Sequence, residues 1–166
     1  NTKIGRMGRI FSFILKGKTT DAMKCTRILT RINHPDEILE QTTPPGKFVY
    51  KRFEKINNNY EGLLRKVKVT SDKILLFTYC DDKMSFTSDL SNELLHKHPT
   101  KIIVIAREKS GEMKCSLRSK NTSLPDKINK ALEGLQGYGG GHEFACGTVV
   151  NKDQFNEFLE KLKDQL

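Results

Sequence analysis

The sequence predicts an α/β chain: a mixed sheet of about five strands with flanking helices, preceded by a helical N-terminal arm. Three observations predict it. Over residues 1–66 apolar side chains recur at steps of three and four, the helical period. From about Val67 the period changes to two. Strand-like runs then alternate with helical ones in the order β-β-α-β-β-α-β-α, the pattern of a sheet layered with helices.

In the arm, the segment from Asp21 to Leu29 places Ala22, Cys25, Ile28 and Leu29 on one helical face, with Lys24, Arg27 and Arg31 elsewhere. Pro35 and then Pro44-Pro45-Gly46 interrupt, because proline lacks the backbone donor and constrains its predecessor. After that break Val49, Phe53, Ile56, Tyr60 and Leu63 form one apolar stripe, with Lys51, Arg52, Lys55 and Arg65 on the outside. The joint between the arm, 1–66, and the α/β domain, 67–166, is expected at Pro44-Pro45-Gly46 or at the end of this helix.

Lys66–Thr70 and Lys73–Thr78 read as paired strands about a Ser71-Asp72 turn. Ser88 is placed to cap a helix carrying Leu90, Leu94 and Leu95, which ends near His96-Lys97-His98-Pro99. Ile102–Ala106 is apolar on both faces, as a central strand covered on both sides must be. The Glu108–Gly111 turn leads back into Met113–Ser119. There Met113, Cys115 and Leu117 face the core, while Lys114, Ser116 and Arg118 point outward together. Ser123 caps the next helix, with Pro125 in its first turn and Ile128, Ala131, Leu132 and Leu135 inward. Thr148-Val149-Val150 is a strand. Asn151 or Asp153 caps a last helix bearing Phe155, Phe158, Leu159 and Leu162.

A hydrophobic fraction of 36% and a charged fraction of 30% describe a folded chain rather than a disordered one. No apolar run approaches the roughly 20 residues that cross a bilayer, and the opening residues lack a signal-peptide cleavage site. No membrane partner is expected. The chain opens at Asn1 rather than at methionine, which fits a piece of a longer protein. Cys25, Cys80, Cys115 and Cys146 are scattered too widely for a zinc knuckle. They read as reduced, mostly buried thiols of a cytoplasmic protein. The net charge of +9 attracts polyanions, nucleic acid among them, although a lysine-rich proteome gives the same balance without such a partner.

Gly137-Tyr-Gly-Gly-Gly-His-Glu-Phe-Ala-Cys-Gly147 departs from this ordinary scaffold. Consecutive glycines let backbone N–H groups converge on an anion, and His142 at their edge adds a donor. Three readings stay open on these residues alone: a plain loop, a phosphate nest, or a metal ligand. Neither a Walker loop nor a dinucleotide fingerprint fits, since Gly-His-Glu follows the glycines and a helix precedes them. Arg118 strengthens the phosphate reading, because arginine grips phosphate in a bidentate way. Catalytic apparatus is thin. Asp81-Asp82 read as turn residues, and His96 and His98 as helix-end cations. No nucleophile elbow, HExxH or clustered acid set is present.

Cys115-Ser-Leu-Arg-Ser119 followed by Gly139-Gly-Gly-His-Glu-Phe-Ala-Cys-Gly147 resembles the C-terminal DHH-associated domain of DHH-type phosphoesterases. Its hallmark is S-x-R-S on a strand, then G-G-G-H-x-x-A-x-G. The likeness covers roughly residues 67–166. The arm resembles the connection from the catalytic domain in the RecJ-like branch, with Gly5-Arg-Met-Gly8 similar to a glycine-arginine turn there. The resemblance implies phosphate and substrate contacts at Arg118, Gly139, Gly140, Gly141 and His142, with Ser116 and Ser119 in support. It implies Mn2+ or Mg2+ in the parent enzyme, held by an N-terminal domain whose Asp-His-His triplet this chain lacks. The chain is then expected to be inactive alone, serving a single-strand-specific exonuclease or a small-oligonucleotide phosphoesterase. Its partners would be single-stranded DNA, RNA or short oligonucleotides, with replication or repair proteins beside them. The alternative is a non-catalytic nucleic-acid-binding scaffold of a replication complex. An RNA-facing module such as ends alanyl-tRNA synthetases is a further, more distant reading.

Overall fold

The computed structural model describes residues 2–81 and 83–166. They form two compact units, one ending at Lys66 and one running from Val67 to Leu166.

The first unit is helical: α1 (Lys3–Ile14), α2 (Thr19–Leu29), α3 (Asp36–Leu39) and α4 (Pro44–Leu64). Val49, Phe53, Ile56 and Tyr60 of the α4 stripe are buried, as the spacing requires, and meet Met7, Ile10, Phe13 and Ile14 of α1. Phe13 and Tyr60 pack edge to face at 5.2 Å. Two expectations are corrected. Pro44 and Pro45 do not precede the helix but form its first turn, where no intrahelical donor is needed. Thr43 caps that turn by accepting from the Gly46 N–H at 3.3 Å. Arg52 does not ride outside. It donates to the carbonyls of Ile14 and Lys16 at 2.9 and 2.7 Å, satisfying acceptors at the end of α1.

The second unit holds β1 (Ile74–Cys80), α5 (Thr87–Lys97), β2 (Ile102–Lys109), β3 (Glu112–Arg118), α6 (Pro125–Leu132), β4 (Gly137–His142), β5 (Ala145–Asn151) and α7 (Phe155–Asp164). The sheet order is β1-β2-β3-β5-β4. β1 and β2 pair in parallel across the α5 crossover; every other pairing is antiparallel. The α/β class, the five-stranded mixed sheet and the helical arm are therefore as expected, but two strands are not. Lys66–Thr70 forms no strand. The fifth strand is the glycine segment itself, hydrogen-bonded along β5.

Ile102–Ala106 of β2 is buried on both faces. One face is covered by α6 and α7 and holds Val104, Met113, Leu117, Ile128, Val150, Phe158 and Leu162. The other is covered over β2 and β3 by α5, which brings in Leu90 and Leu94. The β2–β3 turn is made by Ser110 and Gly111, at φ of 54° and 76°. That pair of positive angles is the turn whose twist matches a hairpin. The helices start where expected but are capped differently: neither Ser88 nor Ser123 caps its helix through the side chain, and Phe86 and Leu124 occupy those positions. Asn151 does cap, accepting from the Asp153 N–H at 2.9 Å over the short 3-10 turn before α7.

Candidate functional site

β4 and β5 are joined by a two-residue turn, Glu143-Phe144, and pair without a bulge from His142↔Ala145 to Gly137↔Val150. The backbone N–H groups of an extended strand point alternately to either side, so the glycine run is not a nest of convergent donors. That reading is corrected: the run is the edge strand of the sheet. Both carbonyls of the turn are used, accepting from the N–H groups of Ser119 (3.1 Å) and Leu124 (2.8 Å). The connection from β3 to α6 is thereby tied to the tip of the glycine hairpin.

The register explains why the S-x-R-S strand and the glycine strand belong together. Arg118 of β3 lies opposite Ala145 of β5, which lies opposite His142 of β4. Directly opposed residues share a face, so Arg118 and His142 stand on the same side with one alanine between them. Their Cα atoms are two strand spacings apart, about 10 Å. The next row on that face is Ser116, Gly147, Gly140, and the one after it Lys114, Val149, Tyr138. α5 covers this face over β2 and β3, while Gly140, His142, Gly147 and Tyr138 are exposed. The result is a floor of bare backbone with an arginine and an imidazole at one end.

The glycines divide by cause. A Cβ on Gly139 would stand 2.9 Å from Thr148 Cβ and 3.0 Å from Ile128 of α6. One on Gly137 would meet the Val149 carbonyl oxygen at 2.6 Å. Gly141 has φ of 145° and would strike the Ala145 carbonyl oxygen at 2.5 Å. These three are required by packing or by the backbone. Gly140 has neither constraint: its Cβ would meet nothing within 4 Å. Gly147, across from it, would make only an ordinary contact at 3.6 Å. Packing leaves the emptiness of the floor unexplained.

Arg118 is held rather than free. Its Nε donates to Asn92 Oδ1 of α5 at 2.9 Å, and Nη1 to the carbonyls of Leu117 and Cys146 at 2.9 and 3.2 Å. The guanidinium is thus laid against β5, and Nη2 has no partner among the described residues. Partial burial pulls its pKa below the usual arginine value, but arginine remains charged at neutral pH.

Ser116 is not outward. It is buried beneath α5 and shares a hydrogen bond with Ser91 Oγ at 2.9 Å. Ser119 is buried too, its Oγ accepting from the N–H groups of Asn121 (3.3 Å) and Thr122 (2.9 Å). Both serines hold the scaffold under Arg118. Sequence reasoning does not single out Asn92, which anchors Arg118, or Gly147, which lies opposite Gly140. Asn92 is legible there only as a polar position beside Leu90 and Leu94 on a covering helix.

Three cysteines are buried and Cys80 is exposed. Burial pushes the Cys115 thiol up to about 12, which makes it inert at neutral pH. Asp81 Oδ1 accepts from the N–H groups of Lys83 (2.7 Å) and Met84 (3.0 Å), the turn role expected of it. Asp82 lies outside the described residues. Among the described residues no three His, Cys, Asp or Glu side chains gather to hold a metal ion, so these residues do not fit a resident divalent pair. Nor is any helix among them long and apolar enough to cross a membrane.

A layered sheet with this motif pair defines a class. Residues 75–166, more than half the chain, match the DHHA1 domain, and the chain belongs to that family. No curated protein sequence matches it. Among solved structures it is similar to RecJ from Thermus thermophilus, crystallised with Mg2+, at TM-score 0.60 and 17% identity over 87% of this chain and 22% of that one. It is similar to PggH, a pGpG-specific phosphodiesterase from Vibrio cholerae, at TM-score 0.57 and 12% identity over 89% and 50%. The C-Ala domain of Aquifex aeolicus alanyl-tRNA synthetase gives 0.51 and 18% over 61% and 97%. The fold is therefore one shared by an exonuclease, a phosphodiesterase and a synthetase appendage. The chain spans about a fifth of RecJ and half of PggH.

Proposed function

We propose that this chain is the substrate-binding portion of a metal-dependent phosphodiesterase, of the kind that digests single-stranded DNA or short oligonucleotides. The observation that supports this most directly is the Arg118–Ala145–His142 row at the end of the bare Gly140–Gly147 floor. An anchored guanidinium with both Nη2 hydrogens spare, on the same sheet face as an exposed imidazole, suits a phosphate lying on the backbone. In the parent enzyme divalent ions carried elsewhere would supply the hydroxide and offset the developing charge. The residues of this chain grip the phosphate and fix the register of the strand, which adds rate by positioning. On this reading the 166-residue chain binds but does not hydrolyse.

Gly140→Val and His142→Ala test the site. Both leave the fold intact, since Gly140 has open space above it and His142 is exposed. Each is expected to weaken binding of a fluorescent single-stranded tetranucleotide about tenfold, read by anisotropy, with unchanged melting temperature. Normal binding by both variants would reduce the glycine strand to a connection. Hydrolysis of the tetranucleotide by the purified chain with Mn2+, surviving in Arg118→Ala, would overturn the assignment of roles.

A further inference from the structure

The same sheet face continues past the glycine floor into a second feature that the phosphate site does not use. A concavity of about 250 Å3 lies at the other end of β4, lined by Glu112, Gln136, Gly137, Tyr138, Val149 and Asn151. Tyr138 is 71% exposed, an unusual position for a large ring on a sheet face. Its backbone is pinned, because buried Thr148 donates from Oγ1 to the Tyr138 carbonyl at 2.9 Å. Register sets Val149 beside Tyr138 and Asn151 beside Glu112, all on the face of Arg118 and His142. The polar rim is half committed. Glu112 engages Lys114 through Oε2 at 3.1 Å, and Gln136 accepts from Asn151 Nδ2 at 3.4 Å. One carboxylate oxygen of Glu112 and the amide nitrogen of Gln136 have no partner among the described residues, an acceptor and a donor beside an aromatic ring.

We infer that this concavity is a nucleobase subsite: the ring of Tyr138 stacks on a base whose edge meets Glu112 and Gln136. The inference rests on the phosphate reading above and extends it along the strand. An exposed tyrosine is a stacking platform for any base, which suits binding without sequence preference. From His142 to Tyr138 is four residues of β4, about 14 Å. That span is on the order of two to four nucleotides, depending on how far the strand is unstacked. Between the two end rows this face carries only Gly140 on β4 and Gly147 on β5, and the end rows add Ala145 and Val149, so the track along these two strands is low. The occupant is therefore a short single strand whose phosphate sits at Arg118 and whose base, a few nucleotides along, sits on Tyr138.

The test uses the full 166-residue chain, a single-stranded tetranucleotide, and a tetranucleotide of the same length made of abasic sugar phosphates. Tyr138→Ala is expected to weaken the tetranucleotide about tenfold and to leave the abasic strand unchanged, because stacking alone is lost. Tyr138→Phe keeps the ring and is expected to bind as the parent does. Equal losses on both strands, or no loss with Tyr138→Ala, overturn the subsite. If Arg118→Ala still weakens both strands in that case, the phosphate reading survives and only the base subsite falls. If the parent chain binds neither strand, both readings fall together. Melting temperatures of the Tyr138 variants within about a degree of the parent establish that binding, not folding, is being read.

Discussion

Arg118→Ala is expected to lose most of the affinity for a single-stranded tetranucleotide, about 10- to 100-fold, the range for deleting a hydrogen bond to a charged group. Three internal bonds go with it, to Asn92, Leu117 and Cys146. A companion loss of stability on the order of 1 kcal/mol is therefore expected from the bonds lost to Asn92 and to these two carbonyls, which keep their ladder donors. Arg118→Lys should not rescue binding. An ammonium can replace the charge, but it cannot hold Asn92 and two carbonyls while still presenting a spare donor. Asn92→Ala separates orientation from charge: the guanidinium stays and its anchor on α5 goes, so a smaller loss of about threefold is expected. Salt gives an independent reading. Removing one phosphate contact to a single strand should flatten the slope of log K against log salt by about 0.7. Isothermal titration over a series of salt concentrations measures both quantities. Binding by Arg118→Ala equal to that of the parent would remove the phosphate from this site.

How much of this is legible in the sequence follows from which signals side chains carry. The α4 stripe and the buried β2 run are readable because several apolar residues repeat at one period, and the structure buries them. The glycine strand is not, because a period of two is written in side chains and β4 carries only Tyr138 and His142. Glycines signal turns when read singly. Only pairing with β5 makes them a strand, and that information lies outside the segment. Lys66–Thr70 misleads in the opposite sense. Its two valines alternate like a strand, but Val69 stays 48% exposed and the segment has no sheet neighbour to pair with. For Ser116 the parity is right and the environment wrong. Alternation says which residues share a face, not whether a helix will cover that face, and α5 covers Ser116 while leaving the floor beyond it open. Family resemblance implies that Arg118 and His142 act together; the register supplies a physical reason, one alanine between them.

The glycines themselves offer the sharpest contrast available in the fold. Gly141→Ala is expected to destabilise the α/β unit by about 2–4 kcal/mol, since a φ of 145° strains any residue with a Cβ and that atom would stand 2.5 Å from a backbone oxygen. Neither can be relieved by a rotamer change, because the obstacle is the main chain of Ala145. Gly139→Val should cost about 1–3 kcal/mol by forcing Ile128 and α6 away from the sheet. Gly140→Ala, one residue from each, should cost no more than about 0.5 kcal/mol, because the added methyl enters open space at an ordinary backbone angle. Thermal unfolding followed by circular dichroism should therefore show a fall on the order of 10 °C for Gly141→Ala and almost none for Gly140→Ala. The order matters more than the sizes. A run of glycines kept for folding alone would make all three substitutions costly. If Gly140→Ala melts as early as Gly141→Ala, the bare floor is a packing requirement and its availability to a ligand is incidental. If Gly140→Ala is silent in stability while Gly140→Val still weakens binding, the space above Gly140 is kept open for something that is not part of this chain.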